Sequence, residues 1–134
     1  MTQFYFLSVL FNLVGGAIFT SSYLEGKISI FGKVTEFFNE RSNLKLFLGL
    51  ITGIVGIMKL LLPVQGIAVL GDLLPALAGC LVGFGLIIDY YHGRTDVADD
   101  NNISTLIEKY RHIIGLSAMG IAVLHFFVPG ALFL

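Results

Sequence analysis

Residues 56–75 read "GIMKLLLPVQGIAVLGDLLP", and the reading of this stretch decides the fold class. Two apolar arms meet at Pro63 to Gly66, where a proline and a glycine frame a tight turn. One arm carries Lys59 and the other Asp72, and no other charge lies between residues 46 and 88. The pattern predicts a helical hairpin that takes one charge of each sign into an apolar setting.

The same aversion to charge extends outward in both directions. Met1 to Leu24 and Ile113 to Leu134 contain no Asp, Glu, Lys or Arg. Of the 134 residues, 56% are hydrophobic and 13% charged, with a mean hydropathy of +0.89. Soluble domains average roughly 45–50% apolar and 25% charged residues, and a chain this short could not cover such a core with polar surface. Runs of about 20 apolar residues match the hydrocarbon thickness of a bilayer at 1.5 Å per helical residue. The expected fold is an all-α integral membrane protein. It is a four-transmembrane-helix bundle with spans at 4–24, 45–64, 67–88 and 113–133, forming one membrane domain over 1–134 in the lipid bilayer. The first apolar run lacks a basic leader and is too long for a signal-peptide core, so it reads as a retained span.

Basic residues orient the bundle. Lys27, Lys33, Arg41 and Lys45 fall in the connection 25–45, and Arg94, Lys109 and Arg111 in the connection 89–112. Short loops rich in Lys and Arg stay cytoplasmic, so both termini are expected outside, in a plasma (inner) membrane. Each connection also carries helical periodicity. In "ISIFGKVTEFFNER" the residues Ile30, Phe31, Val34, Phe37 and Phe38 share a side, and in "ISTLIEKYR" Ile103, Leu106, Ile107 and Tyr110 do so. These are amphipathic helices suited to the membrane interface, the second with cap candidates at Asp100 to Asn102.

Span, amphipathic helix, span: the unit occurs twice, predicting tandem repeats at 1–66 and 67–134. An offset of 66 aligns Lys45 with Arg111, Gly49 with Gly115, Lys59 with His125 and Pro63 with Pro129. An offset of 67 aligns Gly16 with Gly83, Tyr23 with Tyr90 and Lys27 with Arg94. An even number of spans per unit makes the copies parallel, related by an axis along the membrane normal.

Small residues at four-residue spacing mark helix contacts in a medium that gives no hydrophobic drive to association. Gly49 with Gly53, Gly79 with Gly83, and Ala118 with Ala122 form three such pairs, and Asn12, Gly16 and Thr20 share one face of the first span. These surfaces either close the bundle or bind neighbouring subunits, so a homo-oligomer or a larger membrane complex is expected.

Lys59 lies fourteen residues beyond Lys45, about 21 Å along a helix. With Asp72, His125 and Gln65 it is expected to form a polar cluster near the outer face. Pro129 deepens that expectation, because it has no N–H for the carbonyl of His125. Two readings stand side by side: a structural ion pair binding helices in register, or a binding point for an anion or a proton. A third assigns Lys59 to snorkelling and Asp72 to helix capping.

Other chemistry is missing from the sequence. There is no zinc-binding His-Glu-x-x-His, P-loop, dinucleotide fingerprint or nucleophile elbow. The single Cys80 cannot form an intramolecular disulfide, and a net charge of −1 without a basic patch gives no reason to expect nucleic acid. Asp89, His92, Asp96, Asp99 and Asp100 read as a solvated loop and not as a metal site, so no cofactor is expected. The leading expectation is a non-enzymatic membrane subunit or scaffold. The alternative is a small ion or solute channel or transporter using the polar cluster.

Overall fold

A computed structural model describes residues 2–61, 72–94 and 102–128. Gln65, Pro129, Asp96, Asp99, Asp100 and Asn101 lie outside the described residues. The described chain is all-helical: α1 (Thr2–Leu24), α2 (Ser29–Glu40), α3 (Ser42–Leu61), α4 (Leu73–His92), α5 (Asn102–Lys109) and α6 (Arg111–Phe127). By length and apolar character α1, α3 and α4 can each cross a membrane. α5 and α6 together make a fourth such segment if their bend of 64° is counted within one span.

Local chemistry explains several boundaries. The α1 helix stops at a turn in which the N–H groups of Lys27 and Ile28 both donate to the Leu24 carbonyl, at 2.9 Å each. The α4 helix starts where Ala76 N–H donates to the Asp72 carbonyl at 3.1 Å. Pro75 falls in that first turn, where its missing N–H has no helical acceptor to lose. The same helix ends at Gly93, whose N–H reaches the Asp89 carbonyl at 3.1 Å.

The two amphipathic helices differ. None of α2 is buried, and Ile30 and Phe37 stand exposed while Val34 and Phe38 pack against the core edge. In α5, Ile107 and Ser104 are buried while Ile103 and Leu106, with Tyr110 just beyond its end, stay exposed. The expected apolar face of α5 is therefore divided: Ile107 turns into the bundle and its three companions turn outward.

Each half's helices pack chiefly on the other half. α1 lies most extensively against α6, and α3 against α4, with α1 and α4 crossing at the centre. The core comprises Ile18, Phe19, Ala78, Val82, Leu86, Ile107 and Ala118. Glycines set the approach. A Cβ added to Gly16 would lie 2.7 Å from the Gly115 carbonyl oxygen, and one on Gly83 would lie 2.7 Å from that of Gly49. The reverse pairs match as well: Gly115 to the Gly16 carbonyl and Gly49 to the Gly83 carbonyl are both 2.8 Å. Under the offsets of 66 and 67 residues, these two crossings correspond residue for residue.

Gly53 differs from its companions. A Cβ at Gly83 would meet the backbone of Gly53, but a Cβ at Gly53 itself would have nothing within 4 Å. Its free side opens on an outer groove of about 470 Å³ bounded by Leu50, Ile54, Leu77, Leu81 and Phe84. Only the backbone of Gly53 serves the contact. Gly79 is enclosed, with Asn12 Oδ1 3.1 Å from where its Cβ would be.

Candidate functional site

The charges of the opening stretch meet at one end of the bundle. Lys59 lies in the last turn of α3, Asp72 immediately precedes α4, and His125 lies in the last turn of α6. Helix dipoles favour cations at C-termini and anions at N-termini, so Lys59 and Asp72 each occupy the end that suits their charge. Lys59 Nζ donates to Asp72 Oδ1 at 2.7 Å and lies 2.8 Å from His125 Nε2. His125 Nε2 is 3.6 Å from the same carboxylate oxygen. With lysine charged, Nε2 acts as the acceptor and the ring proton resides on Nδ1.

Burial decides between the expectations for this pair. The Lys59 and Asp72 side chains are 0% and 3% exposed, and His125 is 1% exposed. Lys59 does not snorkel, because its ammonium group is enclosed with the carboxylate. Nor does the Asp72 side chain cap α4, since it makes no cap hydrogen bond and turns to Lys59 instead. The lysine and aspartate are thirteen residues apart, and His125 is brought in from sixty-six residues beyond Lys59.

Tyr5 completes the cluster. Its hydroxyl donates to the His125 carbonyl at 2.6 Å, and its ring centroid lies 4.7 Å from that of His125. Lys59 Nζ is 5.6 Å from the Tyr5 ring centre, in cation–π range. The carbonyl that Pro129 cannot serve is thus satisfied from α1. Sequence reading identified the needy carbonyl but not its donor, because Tyr5 is a hundred and twenty residues away. Tyr5 is also the residue that the 67-residue offset places opposite Asp72. The Tyr5–His125 contact therefore stands where the Asp72–Lys59 contact stands in the other half.

Inward from the cluster, Asn12 Nδ2 donates to the Pro75 carbonyl at 2.8 Å and contacts Ser8 Oγ at 3.5 Å. Thr52 Oγ1 donates back to the Leu48 carbonyl at 2.6 Å. Beyond these, Phe19, Val82, Leu86 and Ala118, all with no exposed surface, fill the middle. At the far end Arg111 clasps Asp89 with both terminal nitrogens, Nη1 reaching Oδ1 at 2.7 Å, while its Nε donates to the Phe19 carbonyl at 2.8 Å. Asp89, read from sequence as part of a solvated loop, is instead held inside the bundle by Arg111. Among the described residues no group of His, Cys, Asp and Glu is arranged to hold a metal ion.

Compared with known proteins, residues 1–125 match the model of one protein family, whose description names no function. No curated protein and no solved structure matches the chain.

Proposed function

The chain belongs to the family matched over residues 1–125, and we propose that it is a non-enzymatic integral membrane subunit or scaffold, assembled with copies of itself or within a larger membrane complex. One observation carries this reading: the buried ionisable groups at the two ends of the bundle, among the described residues, bind one another. Lys59, Asp72 and His125 bind each other at one end and Arg111 binds Asp89 at the other, with a fully buried, mainly apolar layer of Phe19, Val82, Leu86 and Ala118 between. Such an interior suits a closed bundle whose outer surface does the work. That surface is apolar, as Leu50, Ile54, Ile57 and Leu61 stand exposed at helical spacing along α3. The small-residue faces of Gly16, Gly49, Gly79 and Gly83 are occupied inside the chain, so contacts with neighbours fall to the outer grooves and to α2 and α5. The paired crossings also support an origin of the two halves from one duplicated two-span unit.

The competing reading is a small ion or solute channel or transporter working through Lys59, Asp72 and His125. Its support is that buried Ser8 and Asn12 extend the polar cluster inward. A conducting route would have to part Phe19, Val82 and Leu86, and for that reason the scaffold reading stands first.

Native mass measurement after gentle extraction tests it. Multiples of the chain mass, or a reproducible co-purifying membrane protein, are expected. A lone monomer that conducts ions or solutes in vesicles would replace the scaffold by the transporter.

Orientation is part of the proposal, with both termini outside and the connections 25–45 and 89–112 cytoplasmic. A membrane-impermeant thiol reagent should label Thr2→Cys in intact cells, in a background with Cys80→Ser, and spare Asn101→Cys. The reverse labelling would invert the topology.

A further inference from the structure

The end of the bundle opposite the ion cluster holds a polar cavity of about 360 Å³ to which all six helices contribute. Ser21 comes from α1, Asn39 from α2, Lys45 from α3, Asp89 from α4, Glu108 from α5 and Arg111 from α6. This size lies within the range of small-molecule sites.

The formal charges of Lys45, Arg111, Asp89 and Glu108 cancel, so a ligand with net charge would leave one sign of the lining unmatched. The charges are not all engaged alike. Arg111 and Asp89 satisfy each other by two parallel hydrogen bonds. Lys45 Nζ has a neutral partner, Asn39 Oδ1, at 2.8 Å. Glu108 reaches Arg111 only at 3.6 Å, with its side chain 57% exposed. Lys45 is thus hydrogen-bonded only to a neutral amide, with the Asp89 carboxylate within electrostatic reach, and Glu108 is held only loosely.

Hydroxyl geometry adds acceptors. Ser21 Oγ donates to the Ile18 carbonyl at 2.7 Å and Thr35 Oγ1 to the Phe31 carbonyl at 2.9 Å. With their protons committed, both hydroxyls keep lone pairs for an incoming N–H donor. No Phe, Tyr or Trp lines the cavity among the described residues, whereas quaternary ammonium groups are recognised by aromatic faces.

We propose that this cavity binds an ammonium–phosphate zwitterion, its phosphate on Lys45 and its primary ammonium on Glu108 and the two hydroxyls. The same chemistry is offered by a phosphatidylethanolamine headgroup and by free glycerophosphoethanolamine. The lipid source rests on the membrane reading above, since α2 and α5 must then lie at the headgroup level. The free molecule requires no membrane.

Two arms separate these sources. In detergent, free glycerophosphoethanolamine should raise the melting temperature in a saturable manner, and glycerophosphocholine should require about tenfold more, as expected for loss of a charge-assisted hydrogen bond. In mixed nanodiscs, native mass spectra should show phosphatidylethanolamine retained over phosphatidylcholine and phosphatidylglycerol. Lys45→Gln and Glu108→Gln should each weaken binding about tenfold. Lys45→Gln leaves both hydrogen bonds of the Asp89–Arg111 clasp in place, and Glu108→Gln removes only the longer 3.6 Å contact to Arg111. The unliganded melting temperature of each variant reports its folding. Binding of the free molecule without lipid retention would keep the site and overturn the lipid source. No saturable shift with either ligand, or binding unaffected in both variants, overturns the site itself, whichever way the topology labelling falls.

Discussion

Gly83→Ala is expected to lower thermal stability in detergent by about 1–3 kcal/mol, the range for overpacking a well-filled interior, while Gly53→Ala leaves it unchanged or slightly raised. The methyl at position 83 would enter the α3 backbone, 2.7 Å from the Gly49 carbonyl oxygen and equally close to Gly53 Cα. Backbone cannot rotate away as a side chain does, so α3 and α4 must separate. The methyl at position 53 would enter the open groove, and Gly to Ala within a helix removes an entropic cost of about 0.5–1 kcal/mol. Gly16→Ala is expected to resemble Gly83→Ala, because its methyl meets the Gly115 carbonyl at the same 2.7 Å. Thermal unfolding of the three variants checks this. Equal damage at 53 and 83, or tolerance at 16 and 83 together, would show that the crossings are not the close contacts described.

Removing one partner of the Lys59–Asp72 pair should destabilise the bundle by about 3–5 kcal/mol, the penalty for leaving a fully buried charge uncompensated. Lys59→Met removes the ammonium from the buried carboxylate, and Asp72→Asn removes the carboxylate from the buried ammonium. Changing both should cost much less than the sum, since apolar or neutral replacement of a whole buried pair is often near neutral. The measurement is a double-mutant cycle on unfolding in detergent, in which a coupling clearly different from zero shows that the two side chains interact. Additive losses would mean that the 2.7 Å contact contributes nothing as a pair. A stable double mutant that also loses a cellular activity of the wild type would bring the transporter reading forward.

The sequence by itself determined the helical class and the location of the apolar segments. Charge-free runs of about 20 residues leave few other choices, because a backbone in an apolar setting must bond within its own helix. It made a Lys59–Asp72 pair one of three readings, beside an anion or proton site and a snorkelling Lys59, since an expected turn at Pro63 to Gly66 would bring the two arms side by side. His125 was legible through its alignment with Lys59 and through Pro129.

Tertiary structure alone decided the rest. Whether Lys59 snorkels or stays inside depends on what surrounds an ammonium group at the end of its stem, and α1, α4 and α6 supply that enclosure. Tyr5 could not be found by spacing, because its hydroxyl serves a carbonyl in a helix distant in the chain. The helix-packing glycines show the limit most clearly. Gly53 and Gly83 are alike as letters at four-residue spacing from Gly49 and Gly79, yet one opens on a groove and the other abuts backbone. Spacing identifies the face of a helix, but the direction in which the partner helix crosses it decides which Cα–H on that face has no room for a methyl group.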